Sequence, residues 1–263
     1  MNQSRLKTSD NAGLRRIAVL AMAFFQIVTP LLPSIGIGEA VGSQSDGVRT
    51  LITPAGWAFA IWGPLYAGTI AFAIYQLLPA QHHRPLPARI GWNAAGAFLG
   101  NALWVAYTQV YGLGWPSVLI ILFTLLNLLA ILRVFAATRA FSLGERVLTV
   151  LPLSALAGWL TAATIVNIAA ALNFHGLTLP WPAPAVSVAI LLVGGVIVAA
   201  ALLGTGGNPW YPLPFLWALW AIHQAGGQQH EGVALATIAA AALVLVTLIW
   251  MLASRERRRR YLG

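Results

Sequence analysis

Long apolar runs recur along the whole chain, and no other feature restricts its fold as strongly. An α-helix needs about 20 predominantly apolar residues to cross the hydrocarbon layer of a bilayer. Runs of this kind lie at about 15–34, 54–78, 90–111, 116–137, 147–173, 184–204, 211–225 and 233–253. With 59% hydrophobic and 8% charged residues and a mean hydropathy of +0.78, the chain lies far from soluble domains, in which about a quarter of the residues are charged. The expected fold is an all-α polytopic membrane helix bundle of eight spans. The seventh is the weakest, being short and opening NPWYPLPFLW. A re-entrant or broken segment shielded by protein is the alternative there.

Cations between the runs set the orientation. Arg5, Lys7, Arg15, Arg16, Arg84, Arg89, Arg133, Arg139, Arg146, Arg255 and Arg257 to Arg260 fall on one side of an eight-span chain, and only Arg49 falls on the other. The positive-inside rule then places both termini in the cytoplasm, whereas seven spans would put the terminal RERRRR outside. The expected location is integral to a membrane of the bacterial inner (plasma) membrane type. A basic start followed by an apolar run also fits a signal peptide, but IGIGEAVGSQ lacks the small-residue cleavage pattern, so the first run is expected to stay as a span. The chain divides into a basic tail at 1–14, a five-helix membrane core at 15–173, a further three-helix region at 174–253 and a basic tail at 254–263. The net charge of +9 is a topology signal and an attraction to anionic membrane lipids rather than a nucleic-acid footprint.

Composition excludes several chemistries. No cysteine is present, so disulfides and cysteine-based zinc sites are ruled out. The spans are nearly free of ionisable groups, which argues against a proton or ion relay at membrane depth. His82, His83, His175, His223 and His230 have no spacing that gathers ligands on one helix face, so no metal site is expected. Nor does any nucleophile sit with a base, so no catalytic residues are assigned and the reading leans away from an enzyme.

What the spans do hold is amide and indole. Asn93, Ala97, Asn101, Trp104, Thr108 and Tyr111 follow at helical steps, a stripe that must face protein rather than lipid. Phe59, Trp62 and Tyr66 share a face on the second span, and Trp159 and Asn167 stand two turns apart on the fifth. If these helices are neighbours, they enclose an apolar cavity with a few directional donors, the usual make-up of a small-molecule site. Interfacial belt and packing core are the alternative, and account for Trp115, Trp181, Trp210 and Trp250.

These residues resemble a known family. Pro54, Trp57, Phe59, Trp62, Leu65 and Tyr66 are similar to the P-P-x-W-x-F-x-x-V-W-x-x-L-Y motif on the second helix of the translocator protein family (TspO/MBR, the tryptophan-rich sensory proteins). Asn101 with Trp104 matches the N-x-x-W of that family's third helix, and Trp159 with Asn167 the W and N of its fifth. There are departures. Ala55 replaces the second proline, Ile52 the leading tryptophan, the Trp57 to Trp62 spacing is one residue short, and Thr108 and Gln109 replace an aromatic pair. The chain looks like a distant, enlarged relative with extra C-terminal helices.

The resemblance implies a five-helix bundle whose pocket opens toward a lid, the long connection between the first two spans. It implies a membrane binding protein, a sensor or transporter, for a hydrophobic ligand such as a tetrapyrrole, isoprenoid or lipid, with porphyrin or haem as candidate ligands. Carried over residue by residue, Trp57, Phe59, Trp62, Tyr66, Asn101, Trp104, Trp159 and Asn167 would form the site. The shortened spacing turns Trp57 away from the others. A transporter using the added helices and an enzyme degrading a porphyrin-like ligand are the alternatives. Further expected partners are membrane lipids and a second copy of the chain as a homodimer.

Overall fold

The computed structural model describes residues 3–226 and 229–263, with side chains described from residue 11 onward. Arg5 and Lys7, two cations of the topology argument, therefore have side chains outside the described residues. All regular structure among the described residues is helical. The long helices are α1 (Gln3–Val28), α3 (Trp62–Tyr75), α4 (Pro85–Tyr111), α5 (Trp115–Ala136), α7 (Leu151–Phe174), α8 (Ala183–Gly204), α9 (Pro212–Ala225) and α10 (Glu231–Ala253). Short helices α2 (Val41–Gly47), α6 (Leu143–Glu145) and α11 (Arg255–Tyr261) lie in the connection after α1, ahead of α7 and at the C-terminal end. Proline occupies the first turn of α4, α5, α8 and α9, where its missing N–H leaves no bond unmade, whereas Pro152 of α7 follows the π-helical turn Arg146–Val150 within one continuous helical run.

Eight helices stand where eight spans were expected, and among the described residues six segments have both the length and the apolarity to cross a membrane, α3 only when taken together with the turn at Gly56–Ile61 ahead of it. The two that do not are α4 and α9. With 27 residues α4 is long enough, and its small and polar residues are buried against α1 and α5. With 14 residues, α9 rises only about 21 Å, short of the roughly 30 Å hydrocarbon layer. It lies against α7 and α10. The GTGGNPWYP run does not break a helix; it turns the chain between α8 and α9 through Gly206 and Gly207, both at positive φ.

Helices α1, α4, α5, α7 and α3 close a ring, each packed on the next and α3 returning to α1. Outside it, α9 packs on α7, while α8 and α10 pair with each other. Lipid tails are as apolar as leucine, so helix association in a membrane depends on close backbone approach at small residues and on interhelical hydrogen bonds. Both are present. A Cβ on Gly158 of α7 would lie 1.8 Å from the Tyr211 carbonyl oxygen, and one on Gly195 of α8 would lie 2.9 Å from the Ala240 Cβ. Asn208 Nδ2 donates to Ser154 Oγ at 2.7 Å, and the Tyr211 and Thr161 hydroxyls lie 3.0 Å apart. The region after residue 174 is thereby joined to the five-helix core.

The basic C-terminal segment is a docked helix. Arg260 donates to the Phe135 and Ala136 carbonyls, capping the C-terminus of α5, where the helix dipole favours a cation. Tyr261 is buried against Phe141, donates to the Thr205 carbonyl at 2.6 Å, and has its hydroxyl pKa raised by that burial, with Arg260 opposing the shift. Arg146 donates to the Arg259 carbonyl at 2.9 Å. The arginines around the α4 start, the α5 end and the α7 start thus share one end of the bundle with α11.

Candidate functional site

The aromatic stripes meet inside the ring. A 3-10 turn, Gly56–Ile61, precedes α3. In a three-residue turn, positions i and i+3 eclipse each other, so Phe59 stands directly in line with Trp62 although the two lie in different kinds of helix. Trp62 stacks on Tyr66 with ring centroids 5.1 Å apart, and meets Trp104 at 6.4 Å and Trp159 edge-on at 6.0 Å. Phe59 meets Trp159 edge-on at 6.3 Å. Trp104 and Trp159 are 4% and 3% exposed.

The amides hold this cluster to the helices around it. Trp104 Nε1 donates to Asn167 Oδ1 at 3.1 Å, and Asn167 Nδ2 donates to Ser117 Oγ at 2.8 Å, joining α4, α7 and α5. Asn101 Nδ2 donates to Gln26 Oε1 at 3.2 Å, and Gln26 Nε2 donates to Thr69 Oγ1 at 2.7 Å, joining α4, α1 and α3. One polar atom stands out: Trp159 Nε1 is buried without a hydrogen-bond partner, a loss of about 1–3 kcal/mol unless another molecule supplies the missing group, whereas the Asn101 amide also meets the Tyr66 hydroxyl.

Phe59, Trp104, Trp159 and Asn167 line one cavity, together with Val41, Ser45 and Pro54 from the connection after α1. Trp62 touches two of these rings, Tyr66 backs Trp62, and Asn101 belongs to the Gln26–Thr69 network. Trp57 lies elsewhere. Two residues before Phe59 in a three-fold turn, it points a third of a revolution away, is 42% exposed, and packs on Trp217 and Trp220 of α9 at 5.0 and 4.7 Å. The structure therefore does not bring Trp57 to the cavity.

The connection after α1 covers the cavity. Glu39 N and Gln44 Nε2 donate to the Gln109 carbonyl at 2.8 and 3.2 Å, holding α2 over the end of α4. Gly38, at φ +71, lies so close to that carbonyl that a Cβ would come within 2.3 Å of it. Gln109 Nε2 also donates to the Pro30 carbonyl at 3.3 Å, so a residue that departs from the motif anchors the cover. Below it, free space amounts to about 40 Å³, room for a water molecule or so. No porphyrin fits this closed form. Among the described residues no three His, Asp or Glu side chains are placed to hold a metal ion.

Several participants escaped sequence reading. Gln26 is fully buried, and being the one amide in the first span was a signal that could have found it. Ser117, Val41 and Ser45 carry no comparable mark.

Searches of curated proteins and of solved structures returned no significant match. A family model described as TSPO-like protein matches residues 14–250. The match runs through α8, α9 and most of α10, so the three C-terminal helices lie within the family pattern, beyond the core at 15–173 that the motifs cover. With the ring of five helices, the converging indoles and this match over most of its length, the chain belongs to the TSPO-like protein family.

Proposed function

We propose that this integral membrane protein binds a flat or rigid hydrophobic molecule in the aromatic cavity, with α2 and the chain around it acting as a cover that lifts to admit it. The observation that carries this reading is the convergence of Phe59, Trp104 and Trp159 on one cavity, with Trp62 packed against two of these rings and the indole N–H of Trp159 left without a partner. Rings supply area and stacking, and the free donor would fix the orientation of a ligand acceptor.

Energetics permit the opening. The cover is held to α4 through the Gln109 carbonyl, to α7 by Asn173 Nδ2 on the Arg49 carbonyl at 3.2 Å, and to α9 by Ala55 N on the Ala221 carbonyl at 3.1 Å. Each such bond contributes about 1 kcal/mol net. Burying about 200 Å² of ligand apolar surface returns about 5 kcal/mol, which offsets the loss of several of them.

Protoporphyrin IX tests the reading. Saturable quenching of tryptophan fluorescence is expected in the native chain, and its loss in Trp62→Leu/Trp104→Leu. Quenching that is unchanged in the double variant would mean partition into the detergent or bilayer and would overturn the proposal.

A further inference from the structure

At the end of the bundle that carries Arg49, a cavity of about 870 Å³ opens between the core and the C-terminal helices. Its walls come from the chain before Pro54, the last turns of α7, the loop at 177–181, the start of α8 and the end of α9. Small-molecule sites range over about 300–1,000 Å³, so this space is large enough for a ligand as it stands. Among the described residues it shares no lining residue with the aromatic cavity. Its lining has two characters. Leu172, Leu179, Val186 and Ile190 are apolar, while Arg49 and Asn173 bring a cation and an amide. On the apolar side, Ile52 and Ile190 also border the narrow cleft between α7, α8 and α9, so the hydrophobic wall continues into the protein.

Among the described residues, Arg49 is the only charged side chain in that lining. Its backbone is fixed by the bond that its carbonyl accepts from Asn173 Nδ2. Its guanidinium pairs with Asp46 at 2.7 Å, and both side chains are about half exposed, at 49% and 59%. A pair this exposed contributes about 0–1 kcal/mol, so a ligand anion can take the place of Asp46. The start of α8, which no side chain caps, forms part of the same wall, and its dipole adds to the preference for negative charge. One cation beside an apolar trough matches one monoanionic head on an apolar body, and guanidinium pairs with carboxylate in a two-bond fork.

We propose that this vestibule binds a single-chain carboxylate amphiphile, with its head on Arg49 and its chain along the Val186 and Ile190 face of α8. The proposal rests on a different cavity from the aromatic one, although the Asn173–Arg49 bond that steadies Arg49 also helps to hold the cover.

A 16-carbon fatty acid bearing a terminal diazirine tests it, using the full chain in uncharged phosphatidylcholine vesicles. Saturable photolabelling of peptides covering 169–190 is expected, displaced by palmitate but not by hexadecanol. Half-saturation should shift about tenfold upward in Arg49→Gln, the size of a lost charge-assisted hydrogen bond, and labelling there should weaken in Val186→Trp, whose ring narrows the trough along α8. Labelling that rises without saturation, spreads evenly over the outer faces of α5 and α10, or is unchanged in both variants overturns the proposal. Protoporphyrin quenching measured on the same samples reports the other cavity: if it persists while vestibule labelling fails, this proposal alone falls.

Discussion

At the scale of single residues, the buried amides act chiefly as fasteners between helices. Asn167 accepts from Trp104 Nε1 and donates to Ser117 Oγ, so Asn167→Leu leaves a buried indole N–H without an acceptor. A loss of about 1 kcal/mol is expected, because interhelical bonds in membranes are worth about that or less, and an unfolding titration in mixed detergent micelles reads it. An unchanged midpoint would mean that the bond holds nothing together. Gly158 has the opposite kind of role, since it is needed for the space it leaves. Gly158→Ala pushes a methyl into the Tyr211 carbonyl and should lower the thermal midpoint by several degrees. Gly63→Ala, with nothing within 4 Å, should be neutral or slightly stabilising because alanine is the better helix former. Equal midpoints for the two variants would contradict the close packing of α7 on α9.

At the scale of elements, what could be read from the sequence depended on how much each helix relies on its neighbours. Runs such as Ala183–Gly204 and Glu231–Ala253 are apolar enough to announce themselves. The amide and indole stripe of α4 was legible through its helical steps, although its hydropathy is too low for a span in isolation. The 3-10 turn before α3 was not legible, because period 3 and period 3.6 agree over the single step from Phe59 to Trp62. Trp57 does not tell the two apart, since either period turns it off the face of Phe59, as the shortened spacing indicates; what the sequence leaves open is its partner, the Trp217 and Trp220 rings of α9. The C-terminal RERRRR reads as a solvated tail by charge alone, and only tertiary contacts show it to be α11, anchored through Tyr261 and Arg260. Truncation after Ala253 should therefore lower the thermal midpoint in detergent, and Tyr261→Ala should reproduce most of that loss. A truncated chain as stable as the whole would show that the segment is held by charge alone.

At the scale of the whole molecule, a five-helix ring encloses an aromatic cavity, α9 braces its α7 and the turn before α3, and α8 and α10 pack beside α9. The motifs point to the ring, and the family match extends the assignment through residue 250. Closure of the cavity could not be read from residue types, since an aromatic stripe looks the same whether it walls an open pocket or packs shut. The bonds to the Gln109 carbonyl and the small free volume decide that point. They make opening of the cover a condition for binding. Native mass spectrometry of the full chain released from lipid nanodiscs after exposure to protoporphyrin IX tests this account most directly. It predicts one added molecule per chain, absent from Trp62→Leu/Trp104→Leu; the same adduct in both proteins, or none in either, would contradict it.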